Sequence, residues 1–84
     1  MKKQKKLEKK RVLILGVSSF AGYSFAKYLV KKKYNIIGTY NNKQNYQFEK
    51  NKYLKLIKIN LENENNLLVK TIKKYKPNYI IDFA

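Results

Sequence analysis

The apolar positions of this chain fall into short runs whose period changes along the sequence. Val12-Leu13-Ile14-Leu15 is continuously apolar, the pattern of a strand covered on both faces. From Phe20 the period becomes helical. Ala21, Phe25 and Tyr28 with Leu29 fall on one face, and Gly22 and Ala26 keep an adjacent stripe small enough to lie against the strand. The helical pattern runs to Lys33, and Lys31, Lys32 and Lys33 suit the negative end of its dipole. Asn35-Ile36-Ile37-Gly38-Thr39-Tyr40 reads as a second strand, and the polar run 41–45 as a loop or a poor helical turn. A third strand is expected over 53–59, where Lys55 and Lys58 suit an exposed edge. Asn63 can cap a helix over 64–75, with Leu68, Ile72 and Tyr75 on one face. Glu64 in its first turn and Lys73, Lys74 and Lys76 at its end match the dipole, and Pro77 stops it. Residues 79–83 read as a fourth strand.

Strands alternating with helices imply right-handed crossovers and a parallel sheet, hence an α/β fold. The expected spatial order is 3-2-1-4, with two helices available to cover two faces. Between the first strand and the first helix lies Gly16-Val17-Ser18-Ser19-Phe20-Ala21-Gly22. A turn of this kind aims backbone N–H groups and the positive end of the helix dipole at one point, which suits a phosphate. Gly16 allows the sharp turn and Gly22 the close packing of helix on strand; Ser19 holds the middle position, where a glycine usually lets a pyrophosphate approach.

Composition narrows the chemistry. At 84 residues the chain is at most one small domain. With no Cys there is no disulfide scaffold or thiolate metal site, and with no His the commonest general base and metal ligand are lacking. No metal site is expected. The five acids, Glu8, Glu49, Glu62, Glu64 and Asp82, are scattered, which argues against a catalytic carboxylate pair. The net charge of +15 invites a nucleic-acid reading. Almost all of it is Lys, however, with Arg11 the only Arg, and Arg is the residue that grips phosphates and bases bidentately. The joint excess of Lys, Asn, Ile and Tyr is what an AT-rich genome encodes, so the charge reads as a solvated surface. Residues 1–10 read as a basic flexible tail. Tail and first strand imitate a secretory signal, but Gly16, Ser18 and Ser19 break the apolar run and no clean cleavage site follows. No run approaches the ~20 apolar residues of a membrane span, so the chain is expected in the cytoplasm.

These residues carry a family resemblance. The chain resembles the start of an extended short-chain dehydrogenase/reductase, the group that holds NAD(P)-dependent nucleotide-sugar epimerases and dehydratases. That group typically opens with Gly-x-x-Gly-Phe-x-Gly; here Phe20 and both outer glycines are in place. Its third strand usually ends in Asp-Leu or Asp-Val, here Asn60-Leu61. Its second helix often ends in Lys-Pro before a strand closing in an apolar-x-Ala-Ala pattern; Lys76-Pro77 and Ile81-Asp82-Phe83-Ala84 are similar. The likeness spans residues 10–84 and implies that 11–84 are the N-terminal part of a Rossmann-type NAD(P)-binding domain, here partial.

The resemblance further implies a dinucleotide across the carboxyl ends of the strands. Gly16, Ser18, Ser19, Phe20, Ala21 and Gly22 would hold the pyrophosphate. Tyr40 takes the place of the acid that pairs with the ribose hydroxyls and repels a 2′-phosphate. With Asn41, Asn42 and Lys43 following, NADP is favoured over NAD. Asn60, with Leu61, would sit near the adenine, its carboxamide keeping an acceptor and adding a donor; Phe83 and Ala84 would approach the nicotinamide half.

Family members also need a Ser/Thr and a Tyr-x-x-x-Lys pair, the Lys lowering the Tyr pKa. The spacing occurs at Tyr23/Lys27, Tyr28/Lys32 and Tyr46/Lys50. Two of these lie on the first helix and the third in a loop, whereas the family's pair follows the fourth strand, so no residue here is assigned to catalysis. The chain reads as a fragment with an unpaired edge at 79–83, expected alone to form a marginal, aggregation-prone unit or one that needs a partner chain; a nucleotide-sugar substrate is expected only if the chain continues. Two alternatives remain. One is a stand-alone NAD(P)-binding regulatory module. The other is a basic nucleic-acid-binding protein, for which interleaved Lys and Tyr give some support.

Overall fold

A computed structural model describes residues 10–41 and 51–84. The expectations for the basic tail, for most of the polar run after the second strand, and for Lys43 and the Tyr46/Lys50 pair fall outside the described residues.

The elements follow the apolar runs: β1 (Arg11–Leu15), α1 (Phe20–Lys31), β2 (Asn35–Tyr40), β3 (Leu54–Lys58), α2 (Asn65–Tyr75) and β4 (Tyr79–Asp82). All pairings are parallel and the order is β3-β2-β1-β4, as expected. In register, Val12 lies beside Ile36 and Tyr79, and Ile36 beside Leu54. Aligned residues in a parallel sheet point to one face. Val12, Ile14 and Ile36 therefore share a face, and they pack with Ala26 and Leu29 of α1 into the core. The β3-to-β4 crossover runs along the sheet opposite to the β1-to-β2 crossover. Right-handedness then puts α2 on the other face, that of Leu13 and Ile37, both buried. β3 is an edge strand, with Lys55 and Lys58 exposed.

Three local expectations change. The buried stripe of α1 is Gly22, Ala26 and Leu29; Ala21 and Tyr28 are exposed and Phe25 is half-buried. The helix start sits tight on the turn that leaves β1: a Cβ on Gly22 would meet the Gly16 carbonyl oxygen and the Val17 Cα. The helix stops at Lys31, because Lys33 turns into the left-handed region at φ 64° and its N–H bonds back to the carbonyl of Val30 at 2.8 Å. Asn63 does not cap α2. Residues 60–63 coil into a turn, Glu64 takes the cap position without a capping side-chain bond, and its carboxylate accepts from the Asn60 N–H at 2.7 Å. Among the described residues no helix is long and apolar enough to cross a membrane.

Candidate functional site

The β1-to-α1 turn is built from backbone contacts that leave little room for side chains. Gly16 sits at φ 86°, and its N–H donates to both the carbonyl oxygen and Oγ1 of Thr39, each at 3.2 Å. Val17 N–H donates to the same carbonyl at 2.8 Å. The turn is thereby bolted to the end of β2. Ser19 then closes it. Its hydroxyl donates to the Gly16 carbonyl at 3.0 Å and accepts from the Gly22 N–H at 3.0 Å, so it caps α1 while staying in the middle position. Ala21 lies in the first helical turn, where no intrahelical carbonyl exists to take its N–H.

Glycine is required at both ends of the turn. A Cβ on Gly16 would lie 2.8 Å from the Ala84 nitrogen, and one on Gly22 would run into the Gly16 carbonyl oxygen. The end of β4 is fixed just as closely. Phe83 N–H donates to the Leu15 carbonyl at 2.7 Å, Ala84 N–H to the Asp82 carboxylate at 2.8 Å, and the rings of Phe25 and Phe83 pack at 5.8 Å.

A cleft of about 390 Å³ opens over the carboxyl ends of the four strands. It brings together Gly16, Ser18 and Ser19 from the turn, Tyr40 at the end of β2 and Asn41 after it, Asn60 and Leu61 after β3, and Phe83 and Ala84 after β4. Phe20, Ala21 and Gly22 do not line it: Phe20 and Ala21 are exposed, and Gly22 is buried beneath the turn. Sequence reasoning missed Thr39, Ile59 and Glu62, which also line the cleft. Ile59 is buried, with its N–H on the Tyr40 carbonyl at 2.9 Å. Asn60 is held on two sides: its N–H meets Glu64, and its Oδ1 accepts from Glu62 N–H at 3.0 Å. Of the two described Tyr-x-x-x-Lys pairs, Tyr23/Lys27 lies on α1 and Tyr28/Lys32 runs from α1 to its C-cap, both outside the cleft lining. There Lys27 and Lys32 each place an ammonium over the tyrosine ring, 5.3 Å from its centre.

The model of the NAD dependent epimerase/dehydratase family matches residues 12–84. The chain belongs to this family. Its fold recurs in solved structures. WbmH from Bordetella bronchiseptica, solved in complex with NAD+, superposes with a TM-score of 0.82 at 18% identity over 92% of this chain and 26% of its own. The epimerase Mth375 from Methanothermobacter thermautotrophicus gives 0.78 at 22% identity, over 92% of this chain and 23% of its own. The chain thus spans about a quarter of the length of these solved structures. No curated protein matches the sequence.

Proposed function

We propose that the cleft binds a nicotinamide dinucleotide and that these residues are the cofactor-binding portion of an NAD(P)-dependent nucleotide-sugar epimerase or dehydratase. The observation that carries the reading is the Gly16–Gly22 turn, whose side-chain-free start opens into the cleft together with the ends of all four strands. A volume of about 390 Å³ is in the range of small-molecule sites. Gly16 lets the diphosphate come close to the backbone, and since the Gly16, Val17 and Ser19 amides are held within the fold, the contact falls to the Ser18 N–H and the dipole of α1. Asn60 and Leu61 face the adenine half, and Phe83 and Ala84 the nicotinamide half. Phe20, Ala21 and Gly22 act on the diphosphate from behind the cleft, through the shape of the first helical turn. When bound, the nicotinamide supplies hydride uptake and return. No residue of this chain is assigned to proton transfer.

NADP is the preferred form. Tyr40 ends β2 where a carboxylate would pair with the ribose hydroxyls and repel a 2′-phosphate. Isothermal titration of the 84-residue chain with NAD, NADP and ADP-ribose tests the reading. Saturable binding of the dinucleotides is expected. Absence of binding by all three at millimolar concentration overturns it.

A further inference from the structure

Next to the cleft lies a second cavity of about 530 Å³, lined by Asn41, Lys58, Asn60, Asn63 and Glu64. Asn41 and Asn60 line both spaces, so a ligand in the cleft can extend into it. Lys58 is the last residue of β3 and lies level with Tyr40 in the parallel register. Its side chain therefore leaves the sheet on the same face as that of Tyr40. Lys58 is exposed and has no ion pair among the described residues. Glu64, the acid in this cavity, has Oε1 turned to the Asn60 N–H at 2.7 Å.

The sheet order decides which part of a dinucleotide arrives here. With the diphosphate at the β1 turn, the ribose beyond it is read at the end of β2, and β3 is the next strand out. We propose that Lys58 holds a phosphate carried on the 2′-oxygen of that ribose, with the carboxamide of Asn41 beside it, and so selects NADP. The proposal rests on the dinucleotide reading above. It places the selecting cation on β3, whereas the sequence pattern had pointed to Lys43 after β2. A lysine ammonium is a compact point charge that can follow a phosphate without a rigid fork, so the contact tolerates the open edge on which Lys58 stands.

The test is calorimetric titration of the whole chain and its Lys58→Gln, Lys58→Arg and Lys43→Gln variants with NAD and NADP at low salt. Lys58→Gln is expected to weaken NADP about tenfold while leaving NAD within about twofold, and Lys58→Arg to restore most of the loss. As a second readout, NADP but not NAD should shield the Lys58 amine from acetic anhydride, followed by peptide mass. Equal losses for both cofactors, or a loss that follows Lys43→Gln instead, overturn the assignment. Wild-type binding of NAD without any preference for NADP overturns this proposal alone. Binding of neither cofactor overturns the dinucleotide reading and this proposal with it.

Discussion

The Nε–H of Arg11 meets the carbonyl oxygen of Tyr75 at 2.9 Å. The same group reaches the Lys76 carbonyl at 3.1 Å, so one guanidinium caps the C-terminus of α2 from the first residue of β1. The backbones lock in parallel with it: Arg11 N–H donates to Asn78 Oδ1 at 2.8 Å, and Asn78 N–H to the Arg11 carbonyl at 2.7 Å. A cation at this helix end satisfies orphan carbonyls and opposes the dipole. Arg11→Ala is expected to destabilise the fold by about 1–2 kcal/mol, read as a melting temperature lower by roughly 5–10 °C. Arg11→Lys keeps the charge but not the Nε geometry and should recover only part.

Gly22→Ala tests the seat of the candidate site. The added methyl meets the Gly16 carbonyl oxygen, which also accepts from Ser19 N–H and Ser19 Oγ. α1 must lift off β1 and the turn must reshape. Destabilisation of about 1–3 kcal/mol in urea unfolding is expected. Dinucleotide affinity should fall more steeply than stability does, because the turn's amides are re-aimed.

Ser19 separates capping from space. Its hydroxyl bridges Gly16 and Gly22. Ser19→Ala removes the cap at about 1 kcal/mol, whereas Ser19→Gly loses only a few tenths. Parallel thermal melts check the ranking. Equal losses would mean that the bridge contributes nothing beyond the backbone conformation.

The strands and the turn were readable because they depend on near neighbours. A four-residue apolar run and two glycines six positions apart identify β1 and its exit whatever else surrounds them. Lys55 announced an edge because a charge inside a strand has few other places to go. Thr39 was not readable. A threonine in an apolar strand looks like a half-exposed position, yet it is 1% exposed, and its role on the Gly16 N–H exists only because β2 lies beside β1. On α1 the small stripe of Gly22 and Ala26, with Leu29, was readable from its spacing; the outward turn of Ala21 and Tyr28 was not, because an apolar period does not say how wide a face the sheet will cover. The cap of α2 was misread because Asn60 and Glu64 compete for the same turn, and their hydrogen bond outweighs the capping preference of Asn63.

Lys33 holds a left-handed conformation at φ 64° just beyond α1, a position that usually falls to glycine. An L-residue there is disfavoured by roughly 1 kcal/mol. Lys33→Gly is therefore expected to stabilise the fold by about 0.5–1 kcal/mol, while Lys31→Gly, inside the last helical turn, lowers stability by a similar amount. Opposite shifts in the two melting temperatures are the result to look for. Shifts of the same sign would place the strain elsewhere.

At the other edge of the sheet, β4 presents Tyr79 and Ile80, 54% and 50% exposed, on opposite faces. Unpaired strand groups flanked by apolar side chains invite pairing with another strand. The 84-residue chain is expected to self-associate as concentration rises, despite a net charge of +15 that opposes it. Ile80→Lys places a charge beside Leu13 in the register, at a half-exposed position where the ammonium can reach water. It should suppress association in light scattering while changing the melting temperature by only a few degrees, about 1 kcal/mol or less. If association persists in Ile80→Lys and falls instead with Tyr28→Lys on the exposed side of α1, the contact runs through the helix face and not through the strand edge.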